Sequence, residues 1–403
     1  MTSNTILLKK TRANFIETVK KATVSESALT AETLVGGLEI IEKISAEWIE
    51  LCEEGASNEP FFRPEWFRAL VKNFENEILL VTVRKNGKLK AVLPLAKKKD
   101  SLHGVPVVKL GAIFNLQSQR FDLVHTADES EKDEILKAIW CEIKRQKGWN
   151  VFETRLTYKT SWLSDLLKIA ESENYKTGVW EMDSAPFVSL PEGENKSVLI
   201  ENYFKGLSKN RRKLLSKNLR HLQEIGKVEF CVTHGFSKEL VEKYFALEAQ
   251  SWKARAGTDV NSDEKIKNLH EDFARECAVQ NVLFIHELKL DGKTIAMYLS
   301  IGFDAKRTIG WKMSFDENYA RFSPGNVLFK EVLSECMRRN STELDMLSPS
   351  NYNKKLFASG EREHCAFYIF QKGIYGSFLN FWKFEIVQRL RKFKEKKESK
   401  SEK

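Results

Sequence analysis

Ile78–Ala96 reads ILLVTVRKNGKLKAVLPLA, and Leu283–Gly302 reads LFIHELKLDGKTIAMYLSIG. In each, a run of β-forming residues meets a two-residue turn, Asn86-Gly87 or Asp291-Gly292, and returns as a second run. Tight hairpins need positive φ at both turn positions, and Asn-Gly and Asp-Gly supply it at little steric cost. The two hairpins lie 205 positions apart. At that offset Asn86-Gly87-Lys88 falls on Asp291-Gly292-Lys293, Ala91 on Ala296, and Arg84 on Lys289.

The surroundings repeat as well. Ile40–Cys52 has a helical stripe of apolar residues, and a helix over Pro64–Phe74 is opened by its proline. After the first hairpin the pattern predicts a strand at Val105–Leu110, a helix at Lys132–Gln146 and a strand at Trp149–Leu156. Helices at Lys238–Ala254 and Asp263–Val279 precede the second hairpin. A strand at Thr308–Ser314, a helix at Gly325–Arg339 and a strand at Leu344–Leu347 follow it. The order predicts an α/β (α+β) chain with mixed sheets, built as tandem copies of one domain. The expected divisions are a flexible extension over 1–36, a first domain over 37–190, a second over 191–372, and a basic amphipathic helix and tail over 373–403. Asp183–Tyr203, with two prolines, joins the halves.

The 403 residues are 42% hydrophobic, with 20 Gly and 8 Pro. That composition is globular and excludes collagen-like, low-complexity or wholly disordered chains. No apolar run approaches the roughly 20 residues of a membrane-spanning helix. The first residues lack a secretion signal's apolar segment, so a cytoplasmic protein is expected. Six dispersed cysteines form no CxxC and no Cys/His cluster, so neither a metal site nor a disulfide framework is expected. The net charge of +9 is concentrated. Lys205–Arg220 carries seven basic residues and no acidic one, and Arg389–Lys403 is +5, which leaves −3 for the rest. Each basic site fits either an anionic partner or a solvated helix face. In the last helix Phe378, Trp382, Ile386 and Leu390 form an i, i+4 stripe opposite Lys383, Gln388, Arg389, Arg391 and Lys392. Such a helix can lie on an anionic membrane surface, or its stripe can pack on the protein.

One loop stands out: Tyr319-Ala-Arg321-Phe-Ser323-Pro-Gly325-Asn326, between a strand and a strongly apolar helix. The first N–H groups of that helix have no partner within it, and Gly325 removes a side chain from their approach. With Arg321 nearby, the segment fits a pyrophosphate. It is equally the pattern of an ordinary helix start, with Ser323 as cap and Pro324 as first residue. His286, alternating with Phe284, reads as a core or edge histidine, and His364-Cys365 as the start of a structural final strand.

The paired hairpin units and the Tyr-x3-Ser-Pro-Gly loop resemble the GNAT superfamily. In particular the chain resembles FemAB-like double-GNAT acetyltransferases of the cellulose-biosynthesis-associated (CelD/BcsL) type. Leu207-Ser208-Lys209-Asn210-Arg211-Arg212 resembles that group's Ser/Arg-rich start of the second domain. Trp252-Lys-Ala-Arg255-Ala-Gly257 resembles its Trp-x-x-Arg-x-Gly, and Lys354-Lys-Leu-Phe-Ala-Ser-Gly360 its Tyr-Lys-x-x-Phe segment. Two departures stand: a single Gly325 in the pyrophosphate loop, and Asn353 where the group has Tyr.

The resemblance implies two tandem GNAT-like domains and an acyltransferase using acyl-CoA, with acetyl-CoA first, as co-substrate and no metal. Arg321, Ser323, Gly325 and Asn326 would hold the donor. Asp345, Tyr298 and Tyr319 are the candidates for proton transfer and oxyanion stabilisation, which acyl transfer requires. Asp345 also reads as a structural cap. Arg211, Arg212, Trp252, Arg255 and Lys354 would contact substrate, although Trp252 and Arg255 also read as a core tryptophan and a solvated arginine. The first domain has no comparable glycine loop and would serve as scaffold or acceptor wall. The expected acceptor is an anionic or lipid-linked envelope or exopolysaccharide precursor, at the inner face of the cytoplasmic membrane, with no DNA partner. Two alternatives remain: an aminoacyl-tRNA-dependent Fem-type transferase, which would bring RNA as partner, or a non-catalytic component of an envelope-synthesis complex.

Overall fold

The computed structural model describes residues 29–55, 58–74, 77–113 and 117–392. Both quoted hairpins form. Asn86 and Gly87 take φ of 52° and 81°, and Asp291 and Gly292 take 50° and 79°. Such paired left-handed values match the twist of the flanking strands. Each hairpin also carries a β-bulge, at Val83/Arg84 in the first and Leu288/Lys289 in the second. The bulges keep the 205-residue offset, so the repeat extends to a local irregularity that generic hairpins do not share.

The strands are β1 (Leu29–Gly36), β2 (Ile78–Lys85), β3 (Lys88–Leu102), β4 (Val105–Ala112), β5 (Val124–His125), β6 (Val151–Glu153), β7 (Thr157–Tyr158) and β8 (Lys176–Glu181), then β9 (Ala185–Ser189), β10 (Val228–His234), β11 (Leu283–Leu290), β12 (Lys293–Asp304), β13 (Arg307–Phe315), β14 (Glu343–Asp345), β15 (Gly360–Arg362) and β16 (His364–Phe370). The first sheet runs β1-β2-β3-β4-β6-β16-β7, with β5 on β3 and β8 on β16. The second runs β10-β11-β12-β13-β14-β9-β15. Helices α1 (Leu38–Glu54), α2 (Pro64–Phe74), α3 (Lys132–Arg145) and α4 (Leu163–Ser172) belong to the first half. α5 (Lys196–Gly206), α6 (Lys209–Gln223), α7 (Lys238–Ala249), α8 (Glu264–Val279) and α9 (Pro324–Arg338) belong to the second, and α10 (Ile374–Phe381) closes the chain. Each half is thus one strand, two helices, three antiparallel strands, a helix and a parallel strand.

The sixth strand of each sheet is exchanged. β6 pairs antiparallel with β16, from the end of the chain, and β14 pairs antiparallel with β9, from the joining segment. Divisions at 190 and 372 therefore cut across both sheets. Residues 29–36 are likewise no loose extension: β1 pairs with β2 along its whole length. Its sequence, LTAETLVG, presents few large apolar groups, so periodicity alone does not reveal an edge strand. Residues 1–28 lie outside the described ones. The helix expected over 238–254 breaks at Gln250–Ser251, where Ser251 caps a separate turn, Trp252–Arg255.

α2 and α8, equivalent helices of the two halves, pack on each other. The Trp66 ring meets Phe61 and Phe273 edge-on at 5.2 and 5.0 Å. Arg68 Nη2 reaches Glu276 Oε2 at 2.7 Å at the rim.

The last helix packs on the first sheet. Phe384 lies over Gly178, where any Cβ would strike its ring, and meets the rings of Trp180 and Tyr368. A π-helical turn over Trp382–Val387 breaks the i, i+4 stripe, because its wider turn rotates later residues around the axis. Phe378 and Leu390 are exposed, whereas Trp382 and Ile386 are half-buried. Lys383, expected on the solvent side, is buried, with Nζ 3.8 Å from the Trp180 ring centre and 2.7 Å from His103 Nε2. The outward face is instead Ile374, Phe378 and Phe381. The end of the basic tail, 393–403, lies outside the described residues.

Six charges join the halves. Glu59 accepts from Arg120 Nη1 at 2.8 Å, and from Arg307 Nη1 and the Tyr158 hydroxyl at 2.6 Å each. Arg120 Nη2 donates to Asp345 Oδ2 at 2.6 Å. Arg307 and Arg362 both hold Glu343, at 2.9 and 2.5 Å, and Arg362 also reaches Asp345 at 3.3 Å. Burial alone would raise the Glu59 carboxyl, but Arg120 and Arg307 outweigh it and hold the group at about 2. A carboxylate held below its unfolded pKa contributes stability that is complete above about pH 5 and is lost as pH falls toward 2. Glu59→Gln, which strips the buried Arg120 and the half-buried Arg307 of a counter-charge, is expected to cost about 3–5 kcal/mol at pH 7 in urea unfolding. The gap to wild type should narrow between pH 5 and pH 2; a gap that ignores pH would contradict this account.

Candidate active site

β13 and β14 are parallel, but pair only at Arg307–Ile309 with Glu343–Asp345. Beyond that point they part. β13 runs on through Gly310–Phe315, while the chain after Asp345 turns away through Met346–Pro349. Lys354 Nζ secures the turn by donating to the Leu347 and Pro349 carbonyls at 2.9 and 3.0 Å. A cavity of about 560 Å³ opens between the two branches. Trp311, Met313, Phe315, Phe329, Met346 and Phe357 give it apolar walls, and Gln117 and Gln119 reach it from the first half. A strand without a neighbour leaves main-chain groups needing partners. One is met by Lys253 Nζ, which donates to the Met313 carbonyl at 2.9 Å.

Of the residues singled out from sequence, Trp252, Tyr298, Asn326 and Lys354 line this cavity. Trp252 is 56% exposed, unlike a core tryptophan. The Tyr298 hydroxyl sits directly over Gly310: a Cβ there would lie 1.8 Å from it. Burial raises the Tyr298 phenol above its ordinary pKa, so it stays protonated and keeps a proton to donate. Its ring is braced by Phe329 at 5.8 Å.

The other residues lie elsewhere. Asp345 is fully buried and tied to Arg120, Arg362 and the Leu347 amide, at 2.6, 3.3 and 2.8 Å, so its carboxylate is spent on the junction. Ser323 takes the left-handed φ of 48° at the start of α9, and its side chain makes no cap bond; its carbonyl accepts from the Asn326 and Val327 amides instead. Gly325 is buried beside Met313, whose sulfur would lie 3.3 Å from an added Cβ. Arg321 is exposed and stacks on Phe322. Tyr319 packs in the second core, with Lys293 over its ring. Arg255 is exposed and bidentate to Glu317. Arg211 donates to the Lys355 carbonyl, and Arg212 lines a separate groove of about 410 Å³ between α5, α6 and α9. His286 is a core histidine: Nε2 meets Ser300 Oγ at 3.2 Å, and burial pushes the ring down to about 3.

The floor holds residues the sequence reading did not single out. Glu248 accepts from Tyr244, Lys253 and the Val260 amide, at 2.7, 2.5 and 2.9 Å. Lys312 Nζ donates to Gln117 Oε1 at 3.0 Å, and the same oxygen lies 3.1 Å from His270 Nε2. Burial pushes the Lys312 ammonium down to about 8; Glu248 opposes the fall and Lys253 adds to it. Lys354 falls to about 8 by burial as well, with Asp345 opposing and Lys253 and Arg120 adding. The available signal was a lysine within the otherwise uncharged stretch Ile309–Met313 of the strand. Among the described residues, no His, Cys, Asp or Glu cluster suited to a metal ion is formed.

Residues 209–355 match the family model of the acetyltransferase (GNAT) domain. No curated protein sequence matches the chain. Solved structures show the same architecture. FemX is 10% identical with a TM-score of 0.53, covering 79% of this chain and 95% of its own. The C-terminal domain of a protein described as a lysylphosphatidylglycerol synthetase, from Agrobacterium fabrum, is 11% identical with a TM-score of 0.50, covering 83% and 92%. The fold is a tandem GNAT-like, FemAB-like one, and the match to the acetyltransferase (GNAT) family model falls in its second half.

A lysine held below its unfolded pKa of about 10.4 destabilises the fold while protonated. From about pH 8 to pH 10 the unfolded chain binds more protons, so stability rises with pH over that window. Wild type should therefore gain on Lys312→Met across it in urea unfolding. A constant difference between the two would show that Lys312 titrates normally.

Proposed function

We propose that the chain is a GNAT-type acyltransferase that moves an acyl group from acyl-CoA, acetyl-CoA first, to an amine or hydroxyl of a cell-envelope or exopolysaccharide precursor. The observation that carries this reading is the parting of β13 from β14 over an apolar cavity that has the start of α9 at one side and the Tyr298 hydroxyl over Gly310 at another. The residues present fit a long, partly apolar thioester. The Asn326 side-chain amide offers a donor to its phosphates, the unpaired edge of β13 offers main-chain groups to its amides, and the aromatic wall excludes water. Bound acyl-CoA supplies the activated carbonyl.

Tyr298 then acts as hydrogen-bond donor to the oxygen or sulfur on which charge develops. Glu248 is the cavity's carboxylate among the described residues, and its oxygens are already engaged. The acceptor therefore enters as a neutral nucleophile and gives its proton to water at the open mouth beside Trp252. Coenzyme A should raise the thermal midpoint of the full-length protein, and Tyr298→Phe should lower acetyl transfer about 100-fold while leaving that midpoint shift intact. Stabilisation by aminoacyl-tRNA and not by coenzyme A would move the reading to the Fem-type donor.

We also infer that the protein works at an anionic inner membrane face. No helix among the described residues is long and apolar enough to cross a membrane. The last helix does turn Ile374 (92% exposed), Phe378 and Phe381 outward, ahead of the +5 segment from Arg389. Apolar side chains entering the interface and basic ones near it act together. The protein should co-sediment with phosphatidylglycerol/phosphatidylcholine vesicles at low salt and much less with phosphatidylcholine alone. Phe378→Ser with Phe381→Ser should release it; unchanged sedimentation would remove this helix as the contact.

A further inference from the structure

The charges around the cavity do not balance. The junction beneath it is neutral in itself, with Arg120, Arg307 and Arg362 against Glu59, Glu343 and Asp345. Lys253 is paired with Glu248 at 2.5 Å. Lys312 and Lys354 remain. Their polar contacts are Gln117 Oε1 and the carbonyls of Leu347 and Pro349. Among the described residues, neither forms an ion pair with a carboxylate. Lys253 lies close enough to both to disfavour their charge. Two half-buried ammonium groups without a carboxylate partner cost stability.

We propose that Lys312 and Lys354 form an anion subsite inside the cavity, which takes a carboxylate or phosphate borne by the acceptor substrate. The word acceptor rests on the acyltransferase reading; the subsite does not. Lys312 is fixed by Gln117 of the first half, so the subsite lies on the wall the two halves share. Asn326, offered to the donor, belongs to the second half alone. An acceptor that enters between the halves and anchors its anionic group here would have its nucleophile held at the Tyr298 end of the same cavity.

Isothermal titration of the full-length protein at pH 8 and low ionic strength tests this, with succinate and inorganic phosphate as separate probes. At least one probe should bind, and the better one names the anionic group. Binding should take up protons, seen as a heat that changes between Tris and HEPES, because an anion beside Lys312 draws a proton onto it. Lys312→Met should weaken binding at least about 10-fold, Lys312→Arg should restore it, and Lys168→Met on the exposed face of α4 should change nothing. Saturating coenzyme A should leave the affinity unchanged. Absence of binding by both probes, or equal affinity in Lys312→Met, overturns the subsite. Competition by coenzyme A assigns the lysines to the donor's phosphates and overturns the acceptor assignment. Anion binding as described with no coenzyme A binding leaves the subsite standing and removes the acyl-CoA reading.

Discussion

Three guanidinium groups and three carboxylates at the junction fix how the two halves meet. Arg120 spans it, with one nitrogen on Glu59 and another on Asp345, 225 residues away in sequence, and Arg307 spans it again between Glu59 and Glu343. Burying charge is expensive, and the cluster is tolerable only while every member keeps its partners. Separation of the halves would leave several of these charges unpaired at once. The cavity depends on the same junction, because Asp345 is both a member of the cluster and the last paired residue before β14 leaves β13. The exchanged strands reinforce it: β9 and β16 each sit in the sheet of the opposite repeat, so the halves are joined by main-chain hydrogen bonds as well as by charge.

The two copies of one unit differ where the fourth strand ends, and the difference is local. In the first half β4 pairs with β6 over Lys109–Gly111, and Gly111 lies so close to Glu153 that an added Cβ would fall 1.9 Å from its carbonyl oxygen. Further along the first half, Gln117 and Gln119 line the cavity of the other half and Arg120 enters the junction. In the second half the corresponding segment leads directly into α9. One repeat therefore supplies the cleft, and the other supplies part of its wall.

The features legible in the sequence were those set by neighbours along the chain. Turn dipeptides placed both hairpins, and Pro64 placed the start of α2 at the residue observed. The apolar stripe of α9 marked it as buried. The features that escaped depend on partners far away in sequence. Nothing in His364–Phe370 shows that it completes the first sheet, and nothing near Asp345 announces Arg120. An aspartate at a strand end reads alike whether solvent or an arginine cluster waits beyond it. Asn326 came from the loop pattern, Trp252 and Lys354 from motifs that resemble the family's, and Tyr298 as a candidate hydroxyl once that resemblance was drawn; the four do meet at the cavity. Lys312 was visible only as a charge between Trp311 and Met313, and its neighbours Gln117 and His270 come from both halves. The C-terminal stripe failed for another reason: a 3.6-residue period was carried through a turn that is π-helical.

The central claim is that the parting of β13 from β14 is where the acyl donor lies. A crystal structure of the full-length protein soaked with a non-hydrolysable thioether analogue of acetyl-CoA tests it most directly. The account predicts density between Gly310–Phe315 and Met346–Pro349, with the phosphates toward Asn326 and the sulfur within hydrogen-bonding reach of the Tyr298 hydroxyl. Density for the analogue in the groove beside Arg212, or an empty cavity at saturating analogue, would contradict it.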